Sequence, residues 1–479
     1  MLYSLLMVTD RARKVAKAYG TPAVGILLAM SAFMLYTLTL APSVMVGDLA
    51  EFQFCAAILG IPHPTGYPLY ILLGKLFTML PVGDVAYRVN LSSAVYMAGA
   101  VGVGYGISVR LLRLSGMGRV WWAGAAGMAL FAVSPTPWSV SLVARSYALN
   151  ALLVASVVFA LVAWRTTRNP RWFYVSCLLI GLSVVHHGTT YLLLPAYGLY
   201  LLLVEWERRR TVDGGRWTVD GRHAKRETRN ASGLSSTVYH LPSTIRRLAL
   251  GVVCGLVGLS PLLLLVYRFV WGGPYYWGDP STWEDFFGLL AGGPFHNQVF
   301  GFGTDLGTQW ERLLFGIGEL SGQYTPVGIA VGLVGIVALL KHKHVEAGLL
   351  LLMMAGNFLF AMNYSVVGYL YFIPTYLIWA VFVSVGVGWA VSTLWERLEG
   401  KGAAAGAWGR AALAVGGVAL VVAIGWAVGL RYPNIDQSGQ TSKRDTALAL
   451  LNSAPQGASL YLDWEDLSVI RFYRLVYDL

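Results

Sequence analysis

The chain has 479 residues, of which 56% are apolar and only 12% are charged. A soluble domain carries about twice that share of charged residues, so the composition excludes an ordinary soluble enzyme. The formal net charge of +11 at pH 7 would suit a nucleic-acid partner, but in membrane proteins Lys and Arg concentrate in cytoplasmic loops. We therefore expect a multi-pass membrane protein that has membrane lipids, and no nucleic acid, as partners.

Apolar stretches recur along the chain and predict an all-α polytopic fold with about eleven transmembrane helices. The first stretch should remain as a signal anchor, because no small-residue cleavage site follows it. The predicted spans are 20–41, 89–109, 120–135, 147–164, 172–187, 189–204, 248–270, 325–340, 346–362, 369–392 and 411–430.

The distribution of basic residues predicts the orientation. Four Lys and Arg between positions 11 and 17 place the N-terminus in the cytoplasm. Alternation then puts the basic loop 205–247 inside and the loops 42–88 and 271–324 outside. This orientation requires a turn at His186-His187, because a single helix over 172–204 would carry the basic loop outward. The turn would place both histidines at the outer surface.

Residues 1–431 are predicted to form the transmembrane domain and residues 432–479 a short extracytoplasmic segment. Within that segment the pattern predicts a helix near 441–452, a strand near 458–463 and a helix near 466–476. So few residues rarely build a core of their own. We expect a small α/β piece that rests on the outer loops or on the membrane surface.

The first outer loop carries two carboxylates, Asp48 and Glu51, which would share one face of a helix. The apolar residues around them predict a short amphipathic helix along the membrane interface. Three prolines and two glycines between Gly60 and Tyr70 exclude a helix there and predict a rigid turn. In a simpler interpretation, Asp48 caps the helix and Glu51 complements its dipole.

This loop resembles the signature of the protein O-mannosyltransferase-like membrane family of the GT-C glycosyltransferase superfamily. The resembling residues in the loop are Ala41-Pro42-Ser43, Gly47-Asp48 with Glu51, His63-Pro64-Thr65-Gly66-Tyr67-Pro68-Leu69-Tyr70 and Arg88-Val89-Asn90. Weaker matches follow at Ser146-Tyr147-Ala148-Leu149-Asn150, His186-His187, Trp277-Gly278-Asp279-Pro280 and Tyr371-Phe372-Ile373-Pro374. One departure is Arg145, in a segment where the family usually has an acidic residue, so substrate binding differs here or catalysis is weakened.

The resemblance implies a GT-C-type fold and an inverting transfer of a sugar, mannose in the family, from a polyprenyl-phosphate donor. The acceptor would be a hydroxyl of a protein, a glycan or a lipid. Asp48 matches the family's first-loop aspartate and would be the general base, with Glu51 as its catalytic partner. The site would lie on the extracytoplasmic side of the plasma (inner) membrane.

A leaving phosphate needs hydrogen-bond donors or cations around it. The candidate substrate-binding residues are His63, Tyr67, Arg88, Arg145, His186, His187, Trp277 and Asp279. Arg and His at helix ends also reach into the headgroup zone without any ligand. The aromatic loop 271–324 is likewise either a lid over the site or an interfacial aromatic belt.

No metal site is expected. Cys55, Cys177 and Cys254 lie far apart in apolar sequence and form neither a disulfide framework nor a metal-ligand pattern. A divalent ion at Asp48 and Glu51 remains the alternative to a metal-free site.

Two other functions stay open at this point. A transporter or flippase of a lipid-linked sugar should show broken midplane helices and buried charge, which the sequence does not show. A catalytically silent relative that serves as a partner subunit would fit the Arg145 departure.

Overall fold

The computed structural model describes residues 21–214, 235–366, 368–399, 403–455 and 457–479. In these ranges the chain is helical, and strand-like pairing is limited to isolated bridges such as Ile61 with Tyr276. The predicted all-α fold is confirmed. The centre of the basic loop, residues 215–234, lies outside the described ranges.

The helices before the basic loop are α1 (Thr21–Leu38), α2 (Asp48–Ile58), α3 (Pro68–Thr78), α4 (Val85–Leu114), α5 (Gly124–Ala132), α6 (Pro135–Val140), α7 (Ser146–Thr167), α8 (Pro170–His186) and α9 (Thr190–Gly214). Those after it are α10 (Ser235–Gly258), α11 (Leu262–Trp271), α12 (Trp283–Leu290), α13 (Leu306–His342), α14 (His344–Asn363), α15 (Gly368–Tyr371), α16 (Ile373–Glu399), α17 (Ala403–Ile435), α18 (Ser442–Ser453) and α19 (Trp464–Tyr477).

Seven described helices are long and apolar enough to cross a membrane, namely α1, α4, α7, α13, α14, α16 and α17. The pair α10 and α11, bent by 47° at a short break, would make an eighth crossing. Helices also occupy the predicted spans 120–135 and 172–187, but α5 has only 9 residues and α8 only 17. Eleven crossings are therefore not confirmed.

The predicted break between two helices at the histidine pair is present. α8 ends at His186 and α9 begins at Thr190, whose backbone N–H donates to the carbonyl of His187 at 3.0 Å. Both histidines are covered by protein and not open to solvent, because His186 and His187 are only 0% and 3% exposed. The ring of Tyr67, from the first loop, lies 6.3 and 6.0 Å from theirs and covers them.

The first loop is more helical and more deeply packed than predicted. α2 is not an amphipathic interfacial helix, since its residues from Ala50 to Ala56 are all buried. α3 was not predicted at all, although Pro68 at its first position is pre-organised for a helix start. The rigid turn therefore spans Gly60 to Tyr67 and links two helices.

The connection between α11 and α13, which we name the second loop, is shorter than the predicted 271–324, because α13 begins at Leu306. Asp305 caps that helix by accepting a hydrogen bond from the Thr308 backbone N–H at 2.9 Å. The sequence-predicted start at residue 325 corresponds to a kink inside α13, where Thr325 precedes Pro326. Proline has no backbone N–H to donate inside a helix and is common at helix starts. The sequence pattern therefore predicted that the span begins at this position.

The C-terminal segment has two of its three predicted elements. α18 and α19 lie where helices were expected, but residues 458–463 form no strand. Leu460 and Tyr461 are 38% and 97% exposed. A strand needs a partner for its backbone groups, and within the described ranges this stretch has none. The α/β prediction for this piece is therefore wrong, and the piece is an α-hairpin with an extended connection.

Helices that precede the basic loop pack on helices that follow it. α4 packs on α7 and α16, and α16 packs on α13 and α5. α13 and α16 approach closely where glycines face the other helix. A Cβ at Gly335 would lie 1.9 Å from the Phe382 carbonyl oxygen, and a Cβ at Gly386 would lie 2.1 Å from the Val331 carbonyl oxygen. Only glycine therefore fits at these two positions. Such backbone contact is typical of helix packing in membranes.

A buried amide on α4 fixes the first loop to the bundle. Asn90 Oδ1 accepts from Gln53 Nε2 at 2.8 Å and from the Ala144 backbone N–H at 2.9 Å. Its Nδ2 donates to the carbonyls of Ala41 at 3.0 Å and Ser43 at 3.2 Å. One side chain thus joins the end of α1, the helix α2 and the start of α7.

Replacing Asn90 with alanine should lower the free energy of unfolding by about 3 kcal/mol, because it leaves several buried donors and acceptors unpaired. Thermal unfolding of the detergent-purified protein measures the loss. Asn452→Ala, on an exposed face of α18, is the matched control and should be nearly neutral. Equal unfolding temperatures for the two variants would contradict the structural role of Asn90.

Candidate active site

Glu51 is the buried centre of the first-loop cluster, with 0% of its side chain exposed. Its Oε2 accepts from His63 Nδ1 at 2.5 Å and from the His63 backbone N–H at 3.2 Å. Its Oε1 accepts from the Tyr275 hydroxyl at 2.8 Å. Burial, and then the negative charge of Glu51, raise the pKa of Tyr275, so the phenol stays protonated and donates. The carboxylate holds the Pro-rich turn and the second loop together.

Asp48 lies at the first position of α2 and, unlike Glu51, is exposed. It does not cap the helix, because Gly47 is the N-cap residue and makes no side-chain capping bond. Asp48 Oδ1 instead accepts from the indole Nε1 of Trp464 at 3.1 Å. An exposed carboxylate held by one fixed donor is suited to take a proton from a bound molecule.

His63 pairs with Glu51 next to Asp48. Burial by itself lowers the pKa of His63, but the hydrogen bond to Glu51 and the negative charges of Glu51 and Asp48 outweigh it and raise the pKa above its ordinary value. His63 is therefore more readily protonated than a free histidine. With 15% of its side chain exposed, its ring also contacts Phe52 and Tyr67 edge-on.

Asp48, Glu51 and His63 could together hold a divalent cation, since one ligand atom from each lies within 4.8 Å of the others. The three side chains also have protein partners. Both Glu51 oxygens accept protein hydrogen bonds, and one Asp48 oxygen is taken by Trp464.

We expect EDTA to leave the activity of the purified protein unchanged, because these carboxylates are satisfied by protein donors. The measurement is the reaction rate before and after chelation. Loss of activity that Mn²⁺ or Mg²⁺ restores would contradict the expectation and assign the three side chains to a metal.

His187 lies next to Tyr67 of the Pro-rich turn and has one ring nitrogen without a hydrogen-bond partner in the described structure. Its Nδ1 accepts from the Thr189 backbone N–H at 3.3 Å and lies 2.9 Å from the Thr189 hydroxyl. That contact puts the ring proton on Nε2, which is buried and has no partner within the described ranges. The rings of Tyr147 and Tyr371 lie 5.4 and 5.7 Å from it.

The two candidate arginines have different surroundings. Arg88 is occupied by the loop itself, donating to the carbonyls of Thr78, Val82 and Gly83. Arg145 precedes α7, and its backbone is bonded to Ser93. Within the described residues its guanidinium makes no hydrogen bond or ion pair, so it is available to an anion. The next residue, Ser146, accepts from His186 Nε2 at 2.9 Å.

The backbone of the second loop is hydrogen-bonded to the Pro-rich turn. Ile61 donates to the carbonyl of Tyr275 at 3.0 Å, and Trp277 donates to the carbonyl of Ile61 at 2.9 Å. The side chain of Trp277 is partly exposed and that of Asp279 is exposed. The structure thus brings Trp277 beside the turn, while Asp279 makes no side-chain hydrogen bond within the described ranges.

The structure brings together six of the ten sequence-predicted residues, Asp48, Glu51, His63, Tyr67, His186 and His187. Sequence reasoning did not single out four contributors to this cluster, Tyr147, Tyr275, Tyr371 and Trp464. Tyr147 and Tyr371 lie in segments that matched the family, which was a usable signal. Trp464 had none, because it lies 416 positions from its partner Asp48.

Comparison with known proteins supports the same family. Residues 48–210 match the family model of the protein O-mannosyl-transferase TMEM260 N-terminal domain. The predicted resemblance is confirmed. A protein O-mannosyl-transferase tmem260 of Dictyostelium discoideum is 23% identical over 353 residues, covering 70% of this chain and 39% of that protein. TMEM260 of Mus musculus is 38% identical over 120 residues, covering 25% and 16%. The chain thus spans less than half the length of either relative.

Two solved structures share the fold across nearly the whole chain. ArnT from Cupriavidus metallidurans, bound to undecaprenyl phosphate, has a TM-score of 0.54 at 15% identity and covers 93% of this chain and 84% of its own. The oligosaccharyltransferase AglB from Archaeoglobus fulgidus, in complex with an inhibitory peptide and a dolichol-phosphate, has a TM-score of 0.52 at 14% identity and covers 92% and 59%. The GT-C-type fold is confirmed.

Proposed function

We propose that this protein is an inverting membrane glycosyltransferase that moves mannose from a polyprenyl-phosphate donor to a hydroxyl acceptor. The exposed Asp48 carboxylate, fixed at the start of α2 beside the buried Glu51–His63 pair, carries the proposal. The names of the TMEM260 relatives favour mannose and a protein acceptor. Neighbours that hold undecaprenyl phosphate or dolichol-phosphate favour a lipid-linked donor.

In the proposed reaction the acceptor oxygen attacks the anomeric carbon from the face opposite the phosphate. A hydroxyl is a weak nucleophile until a base takes its proton, and Asp48 is that base. The bond from the anomeric carbon to the phosphate oxygen breaks, and polyprenyl phosphate leaves with an added negative charge. Glu51 makes its hydrogen bonds to the protein, so its part is to hold His63 and Tyr275 in place.

The departing phosphate needs donors that are in place before the reaction. His187 supplies a buried Nε2–H without a partner in the described structure, and Arg145 supplies a guanidinium that makes no other described bond. Both belong to segments around the N-terminus of α7 and the turn before α9. Arg145, which replaces an acidic residue of the family, therefore suits an anionic leaving group.

We further propose that this site faces the extracytoplasmic side of the plasma membrane. The excess of Lys and Arg in the segments assigned to the cytoplasm supports this orientation. A lipid-linked donor would then enter from the bilayer, with its phosphate at headgroup depth.

The experiment is a transfer assay with purified protein in detergent, labelled polyprenyl-phosphate-mannose and Ser/Thr-containing peptides. We expect label in the peptide with wild type and none with Asp48→Asn. Label that remains on the lipid but crosses the bilayer of proteoliposomes would instead indicate a transporter. A wild-type protein inactive with mannose and glucose donors, on peptide and lipid acceptors, would favour a silent partner subunit.

A further inference from the structure

The C-terminal helix α19 packs directly on α2, the helix that carries the candidate base. Two hydrogen bonds join their first residues. The indole Nε1 of Trp464 donates to Asp48 Oδ1 at 3.1 Å, and the backbone N–H of Gly47 donates to the carbonyl of Glu465 at 3.5 Å.

The start of α19 is well anchored, which gives the indole a defined place. Asp463 caps the helix by accepting from the Asp466 backbone N–H at 2.9 Å, and Asp466 pairs with Lys443 of α18 at 2.7 Å. On the other face, Val469 and Phe472 are buried in the main core. The contact with Asp48 is therefore made by a rigid element and not by a loose tail.

The Arg471 side chain lies near both aromatic residues that donate hydrogen bonds to the two acids of the site. The Arg471 guanidinium lies 5.7 Å from the ring centre of Tyr275 and 6.0 Å from that of Trp464, near the limit for attraction between a cation and an aromatic face. Tyr275 donates to Glu51 and Trp464 donates to Asp48. Arg471 thus lies between two aromatic side chains that each hold one acid of the site.

We propose that Trp464 is a positioning residue for Asp48, so that α19 forms one wall of the active site. The proposal rests on the proposed function, in which Asp48 is the base. With one oxygen held by the indole, the other is directed to receive the acceptor proton, and the carboxylate does not rotate between turnovers. Losing the indole N–H slows proton removal without weakening donor binding.

The test is Trp464→Phe, which removes the N–H but keeps an aromatic ring. We expect kcat to fall about tenfold, the effect of losing one hydrogen bond to a charged group, with KM for the donor unchanged. Trp310→Phe, at a tryptophan that is 60% exposed on α13, is the matched control and should retain wild-type kcat. Thermal unfolding is measured on both variants, since a structural role alone would lower stability and leave kcat per folded molecule intact.

Equal kcat for the two Phe variants, while Asp48→Asn is inactive, would overturn the positioning role and leave the proposed function standing. Absence of transfer by the wild type would overturn both. Should Trp464→Phe unfold early, Trp464→Leu supplies the same test below its own unfolding temperature, because it also removes the indole N–H that donates to Asp48. A several-fold loss of kcat at constant KM supports the role, and an unchanged kcat refutes it.

Discussion

Asp48→Asn should lower kcat by about 10²- to 10⁴-fold, the usual contribution of a positioned general base. The substitution keeps size and shape, and the amide oxygen still accepts from Trp464 Nε1. The amide cannot take the acceptor proton, so the attacking hydroxyl stays protonated. Because Asp48 is exposed and asparagine keeps the hydrogen bond from Trp464, folding and donor KM should change little.

The matched control for Asp48→Asn is Asp478→Asn, the same chemical change at an exposed residue beyond the far end of α19. Initial rates at saturating donor and acceptor give kcat, and thermal unfolding shows that both variants fold. Wild-type kcat in Asp48→Asn would exclude Asp48 as the base. An equal loss in both variants would instead attribute the loss to altered charge.

The sequence was informative where local patterns decide structure. Apolar stretches located most of the long helices, and the break before α9 followed from the requirement that the basic loop stays on the cytoplasmic side. The turn predicted for Gly60 to Tyr70 is present up to Tyr67, because proline and glycine restrict the backbone directly, whereas α3 begins at Pro68. The first-loop acids were found through a family signature, since a carboxylate pair by itself is also typical of a helix N-terminus.

Features that depend on distant contacts were not predictable. The sequence pattern of α2 is amphipathic, but α3, α4 and α19 all pack on it, so Glu51 and Gln53 on its polar side are buried as well. The apolar pattern of residues 458–463 predicts a strand, yet pairing requires a neighbour that the sequence cannot show. The Trp464–Asp48 bond depends on where the C-terminal segment docks, which no local propensity specifies.

Glu51→Ala should be the most destabilising change in the site, lowering the free energy of unfolding by about 3 kcal/mol. Removal of the carboxylate leaves the half-buried Tyr275 hydroxyl and the His63 backbone N–H without their acceptor, and each buried unpaired group costs about 1–3 kcal/mol. Glu51→Gln should cost less, since its carbonyl oxygen can accept from His63 while the Tyr275 hydroxyl turns to accept from its amide. Glu51→Ala should also lose transfer activity, because the turn that flanks Asp48 loses its support.

Comparison of these two variants separates the hydrogen bonds of Glu51 from its charge. The pKa of His63 is raised in the folded protein, so the charged pair stabilises fully below the unfolded pKa of about 6.5 and loses this effect as pH rises through the folded pKa. The advantage of wild type over Glu51→Gln should therefore be largest near pH 6 and shrink toward pH 9, while the deficit of Glu51→Ala persists. Thermal unfolding at both pH values measures this. An advantage that grows with pH would mean that His63 is neutral in the folded protein, and that Glu51 holds the turn by hydrogen bonds alone.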